Sequence, residues 1–294
     1  MHNQKKAYIY GVATVLLWST VASAFKLSLR YLDHVQLLLY SSIVSILALT
    51  AILALQGKTR LIFSYSGKQY LRSMALGFLN PFLYYMVLLK AYDLLPAQEA
   101  QPLNYTWVIT LALLSIPLLK QKIGLRDIVA MSVSYFGVFV ISTHGDLSSF
   151  NFSNPLGVAL ALGSTFIWAL YWIYNTKDGR DPVAGILLNF LFGLPFVLAY
   201  CLLFSSAWVA NPYGLFGAAY VGIFEMGITF VLWLSALKLS ENTAKVGNLI
   251  FMSPFLSLVF IHFLVGEDIL ASTFIGLMLI VAGILIQQLK ARQA

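Results

Sequence analysis

The chain is predicted to be an all-α polytopic membrane protein, with ten transmembrane helices arranged as two inverted five-helix repeats and both termini cytoplasmic. Three observations predict this. The composition is 60% hydrophobic and only 10% charged, whereas soluble domains carry about 25% charged residues. The apolar residues fall in runs long enough to cross about 30 Å of hydrocarbon. The sequence also resembles itself when displaced by about half its length.

The runs place the spans at roughly 7–31, 35–56, 69–92, 97–119, 124–143, 153–177, 183–204, 212–238, 242–265 and 269–290. The first follows Lys5 and Lys6 and passes through Ala22-Ser23-Ala24, which mimics a signal peptide with its cleavage site. Its apolar stretch continues beyond that triplet, so an uncleaved span is expected. The third contains Asn80-Pro81, and the fourth contains Pro102 and Pro117. The sixth carries Ala159 and Gly163, a small-xxx-small pair expected to mark close helix contact. The seventh holds Pro195 and the single Cys201, so no disulfide framework or cysteine-rich metal site is available. The eighth, within "LFGAAYVGIFEMGITFVLWLSAL" (215–237), is oily except for Glu225, and the ninth contains Pro254. These prolines give kinks or hinges. The connections are too short to insert a soluble domain.

Charge tests the span count. With both ends inside, the inner segments hold Lys5, Lys6, Lys58, Arg60, Lys68, Arg72, Lys120, Lys122, Arg126, Lys177, Arg180, Lys238, Lys245, Lys290 and Arg292. Only Lys26, Arg30 and Lys90 fall outside. A wrong count would scramble that bias. The net charge of +7 is therefore explained by topology and does not call for a nucleic-acid partner.

An offset of 145 residues pairs spans three to five with spans eight to ten. Gly77 falls on Gly222, Ala91 on Ala236, Leu94 on Leu239, Leu111 on Leu256, Leu113 on Leu258, Ile116 on Ile261 and Leu119 on Leu264. "GVATVLLWSTVASAFK" in span one is similar to "GVALALGSTFIWALYWIYNTK" in span six. The expected repeats are 1–148 and 149–294. An odd number of spans in each makes them inverted, an architecture of secondary transporters with the substrate near the midplane.

Five plus five spans, the Trp in "LLWST" (16–20), "NYTWVITLALLSIPLLKQKIG" (104–124) and "SPFLSLVFIHFLVGEDI" (253–269) resemble the drug/metabolite transporter superfamily, EamA-type branch. Gly266-Glu267 resembles the family's usual Gly-Glu at that helix end. The first half departs from the pattern, with Gln121-Lys122 in place of Gly-Glu and Val108 where a Pro often follows the Trp. The stretch from Glu99 to Trp107 is similar to that of amino acid exporters. The resemblance implies an inner-membrane secondary transporter of bacterial type.

The buried polar residues suggest a site. An ionised acid at the depth of Glu225 costs about 2.5–3.5 kcal/mol on insertion scales, so it needs a partner, water or a proton. It either faces a cavity, binding an amine or exchanging a proton, or stays protonated between packed helices. Its offset counterpart is Asn80, which either shares that cavity or merely prepares the break at Pro81. Helical spacing adds Thr229 and Trp233 to Glu225, Tyr84 to Asn80, and Trp107 to Asn104, with Asn248 on the equivalent face of span nine. Trp18, Trp107, Trp168, Trp172 and Trp233 lie away from span ends, unlike Trp208, which reads as an interfacial anchor. Together they suggest an aromatic wall suited to amphipathic or cationic solutes, against the simpler reading of helix packing. Lys26, Lys90 and Glu99 cluster at outer span ends, either snorkelling or forming an outer gate in which Glu99 bridges to a lysine.

Other classes fit poorly. There is no G-x-x-x-x-G-K-[ST] for a nucleotide-driven pump, and His2, His34, His144 and His262 are too scattered for a metalloprotease. One mid-membrane acid without a buried base does not make an intramembrane enzyme. The expectation is a non-enzymatic exporter of amino acids or related amphipathic amines, working in the lipid bilayer without cofactor or metal. Coupling to protons through Glu225 and facilitated diffusion both remain open at this point, as does a multidrug or organic-cation exporter of the same fold. A non-transporting receptor is the remote alternative. Sequence gives neither substrate identity nor oligomeric state.

Overall fold

The computed structural model describes residues 3–107, 109–110, 113–114, 118, 125–148, 154–239 and 248–291. These residues form ten helical spans. The first five are α1 (Gln4–Ser28), α2 (His34–Leu55), α3 (Gly67–Leu94), α4 (Ala97–Tyr105) and α5 (Leu125–Ser142). The second five are α6 (Pro155–Thr176), α7 (Pro182–Phe204), α8 (213–239), α9 (248–265) and α10 (Ala271–Ala291). Six are long and apolar enough to cross a membrane by themselves: α1, α2, α3, α6, α7 and α8. Shorter apolar helices occupy Ile128–Ser142, Ser253–Val265 and Ala271–Ile286. The Gln121-Lys122 departure and Val108 lie outside the described residues.

The spans start where side chains can meet the free N–H groups of a first turn. Asn3 accepts from Lys6 N at 3.0 Å, Asp33 with Gln36 closes a capping box before α2, and Ser66 with Gln69 closes another before α3. Asp181 caps α7, with Pro182 in the first turn. Gly266 ends α9 at φ +82°, a left-handed conformation that glycine adopts without a Cβ clash.

Two spans are interrupted at their centres. In α3, Asn80 has φ −151° and ψ 118°, and a π-helical segment runs over Phe78–Leu83 around Pro81. In α8 a π-helical segment covers Val221–Ile228, with Glu225 inside it. Such wide turns change the angular phase of every residue that follows.

Each interrupted span packs on the first two spans of the other half. α3 lies against α6 and α7, while α8 lies against α1 and α2; α5 pairs with α10. Glycines make these approaches possible. A Cβ on Gly77 would stand 2.2 Å from the Asn189 carbonyl of α7, and one on Gly222 would stand 2.5 Å from the Ser41 carbonyl of α2. Gly137 and Gly276 serve the α5–α10 contact in the same way. The close contact expected at Gly163 is not there, since a Cβ at that position meets nothing within 4 Å. Spacing alone could not tell which face of α6 turns to a neighbour.

Candidate functional site

A cavity of about 70 Å³ lies between α1, α3, α4, α6, α8 and α9. All five mid-span tryptophans, Trp18, Trp107, Trp168, Trp172 and Trp233, line it, together with Glu225, Tyr84 and Asn104. Trp208 is 81% exposed, as an interfacial anchor would be. The volume admits a handful of waters and falls well short of the roughly 300 Å³ of a typical small-solute pocket.

The aromatic wall is built by ring contact between spans. Trp168 stacks on Tyr84 at a centroid distance of 4.4 Å and meets Trp172 edge-on at 5.6 Å. Trp18 of α1 meets Trp233 of α8 at 5.7 Å. Phe230 sits between the two pairs, 6.5 Å from Trp18 and 5.7 Å from Trp168. Such edge-on and offset pairs are worth roughly 0.5–1.5 kcal/mol beyond the area they bury.

Glu225 is the acid among the described lining residues, and no basic side chain joins it there. Its Oε1 accepts from the Tyr85 hydroxyl at 3.0 Å. Its Oε2 has no hydrogen-bond partner, and neither has the Trp18 indole N–H, which faces the carboxyl without closing a bond. Half of the carboxyl's bonding capacity is thus left unused, beside the Trp18 indole. Asn104 donates to Ser164 Oγ at 2.9 Å and accepts weakly from Tyr84 at 3.4 Å, which fixes its amide against α6.

Asn80 and Thr229 are not on the cavity wall. Asn80 is fully buried at the break in α3, beside Tyr171 of α6, whose hydroxyl accepts from Asn189 of α7 at 3.4 Å. Its amide makes no bond of ordinary geometry. Thr229 donates its hydroxyl to the Phe224 carbonyl five residues back, at the end of the π-helical segment. The side chain of Asn248 lies outside the described residues.

Sequence reading missed Tyr85, Phe25, Tyr92, Gln101 and Tyr105. Phe25, Tyr92, Gln101 and Tyr105 line the cavity. Helical spacing carried a signal for three of them: Phe25 follows Trp18 by seven, Tyr92 follows Tyr84 by eight, and Gln101 precedes Asn104 by three. Tyr85 carried no such signal, since it stands one position off the face of Tyr84.

The outer-end residues are held separately. Lys26 donates to the carbonyls of Tyr92 and Leu95 at 2.7 and 2.8 Å, and Lys90 pairs with Asp93 at 2.7 Å. Buried Glu99 meets His144 Nε2 at 2.6 Å. His144 is brought there by the left-handed turn that ends α5, at φ +53°.

At the opposite end, the loop between α6 and α7 is tied to α3. Arg180 grips Asp178 with Nη2–Oδ2 at 2.6 Å, reaches Ser73 Oγ at 2.8 Å and lies 5.2 Å over the Tyr65 ring. Lys58 pairs with Asp181 at 2.8 Å. Burial alone would raise both carboxyls, but the Arg180 bonds hold Asp178, and the Lys58 bond with the α7 N-terminus holds Asp181, below the usual carboxylate range.

Comparison with known proteins adds an independent finding. The profile of the EamA-like transporter family matches residues 5–143 and again 155–287. A protein of Archaeoglobus fulgidus described as an uncharacterized transporter is 24% identical over 98% of this chain and 99% of its own length. Another so described, from Acidianus ambivalens, is 28% identical over 69% of this chain and 78% of its own. The uncharacterized transporter YvbV of Bacillus subtilis is 24% identical over 73% of this chain and 70% of its own. One crystal structure superposes with a TM-score of 0.70 at 19% identity, covering 99% of both chains, a likeness of fold.

Proposed function

The chain belongs to the EamA-like transporter family, and from that premise we propose that it is a secondary transporter moving small amphipathic amines, amino acids among them, out of the cell. Glu225 is its binding and coupling acid. The observation that carries this reading is the half-satisfied carboxyl of Glu225 on the wall of an aromatic cavity. A buried acid with one free oxygen can take an ammonium group or a proton, and the two compete for the same lone pairs. Competition of that kind couples a proton moving in to an amine moving out.

Alternating access between inverted halves would carry the cycle. The reciprocal packing of α3 on α6 and α7 and of α8 on α1 and α2 supports this, as does the twofold match to the family profile. The small cavity volume means that a solute must spread the walls before it enters. The interruptions in α3 and α8 are natural points for such bending. Asn104 and Gln101 would meet polar solute atoms, and the tryptophans would cover the apolar part.

One observation favours an organic-cation exporter as the second reading: the described cavity wall offers an acid and aromatic faces but no base for a carboxylate. The test is flux into proteoliposomes of labelled amino acids and carboxylate-free amines, wild type beside Glu225→Gln, with and without a pH gradient. Gradient-driven uptake that the variant loses while keeping exchange supports coupling. Uptake indifferent to gradient and substitution leaves a uniporter, and binding without flux leaves a receptor.

A further inference from the structure

At the outer end of the cavity, as the charge bias orients the chain, one contact joins the two halves through a helix terminus. α4 begins after Pro96, which offers no side-chain cap. Glu267, in the loop between α9 and α10, supplies that cap from the other half. Its Oε1 accepts from Ala97 N at 2.8 Å and its Oε2 from Gln98 N at 3.0 Å. A carboxylate on free N–H groups at a helix start gains from both the hydrogen bonds and the helix dipole.

Gln98 returns the grip. Its Nε2 donates to the Asp268 carbonyl at 2.9 Å, while its Oε1 accepts from Leu270 N at 2.9 Å and from the Thr273 hydroxyl at 3.1 Å. The start of α4 and the start of α10 are therefore locked reciprocally. One turn further along α4, Gln101 lines the cavity. Arg30 pins α1 to α9 at the same end, through the Val265 carbonyl at 2.8 Å.

We propose that Glu267 and Gln98 form the latch that closes the outer mouth of the cavity. The inference rests on the transporter reading for its purpose. Its geometry does not depend on which solute is moved.

Accessibility measures the latch without any substrate. The full chain carries Cys201→Ala and a reporter thiol, Ala22→Cys, in the cavity wall of α1. A membrane-impermeant maleimide is applied to sealed vesicles of either orientation. With the latch intact, labelling from outside is slow. Glu267→Gln replaces a charged acceptor by a neutral one, and outside labelling rises about ten-fold. Gln98→Ala, which keeps the acid, gives a rise of the same sign and serves if Glu267→Gln does not fold.

Outside labelling unchanged by Glu267→Gln and by Gln98→Ala in folded protein overturns the latch. The transporter reading fails separately: accelerated labelling in a chain that moves no solute keeps the latch and removes its proposed purpose.

Discussion

Tyr85 and Glu225, 140 residues apart, are joined by a 3.0 Å hydrogen bond between the interrupted spans α3 and α8. Each span packs on the other half's first two helices, so this bond ties together the two points where the bundle is most readily bent. Glu225 Oε2, buried and without a hydrogen bond, faces the Trp18 indole.

Tyr85→Phe keeps the ring and removes the donor. Glu225 is then left buried with neither oxygen hydrogen-bonded, so the variant is expected to lose about 1–3 kcal/mol of stability. Thermal unfolding of the purified protein reads this as a lowered midpoint. An unchanged midpoint would mean that water replaces the hydroxyl.

Asn104→Ala removes an amide held on Ser164 and leaves α4 otherwise intact. If the amide meets solute, the half-saturating concentration rises roughly ten-fold, equivalent to about 1.4 kcal/mol, with little change in maximal rate. Concentration-dependent flux separates the two constants. A fall in rate alone would place Asn104 in the conformational step.

Close helix approach gives a steric prediction with an internal control. Gly77→Ala and Gly222→Ala push a methyl group into a neighbouring backbone carbonyl, and each is expected to cost about 1–3 kcal/mol. Gly163→Ala meets open space in a helix interior and is expected to be neutral or stabilising by up to about 1 kcal/mol. Equal effects at all three would sink the packing argument.

The α6–α7 loop predicts an acid dependence. Asp178 and Asp181 are held below their unfolded values, so their contribution is fully present above the unfolded carboxylate range, near pH 4. It is lost as pH falls through the lower folded values. Asp178→Asn should therefore be less stable than wild type at pH 7, with the difference closing below about pH 4. A gap independent of pH would assign the effect to lost packing.

Much of the fold was legible because a bilayer imposes simple rules on sequence. Spans must be apolar and long, and loops carry basic residues on one side. The small-xxx-small reading at Gly163 failed for the opposite reason: spacing says that a face is narrow, and only a neighbouring backbone says whether it is used. Glu99 meets His144, which a left-handed turn at the end of α5 carries into reach and which no spacing rule selects.

The sequence by itself determined the ten spans, the isolation of Glu225 in apolar surroundings and the five tryptophans away from span ends. These follow from residue type and from a helix period that holds over one or two turns. Only the tertiary structure decided which polar groups meet. Asn80 and Glu225 are equivalent by offset, yet the break at Asn80 leaves its amide beside Tyr171, while Thr229 gives its hydroxyl to the Phe224 carbonyl. Trp233 and Tyr84 keep their places on the wall past the interruptions, so spacing found the face but not which polar groups a neighbour captures. The partner of Glu225 is accordingly Tyr85, which no spacing rule selects.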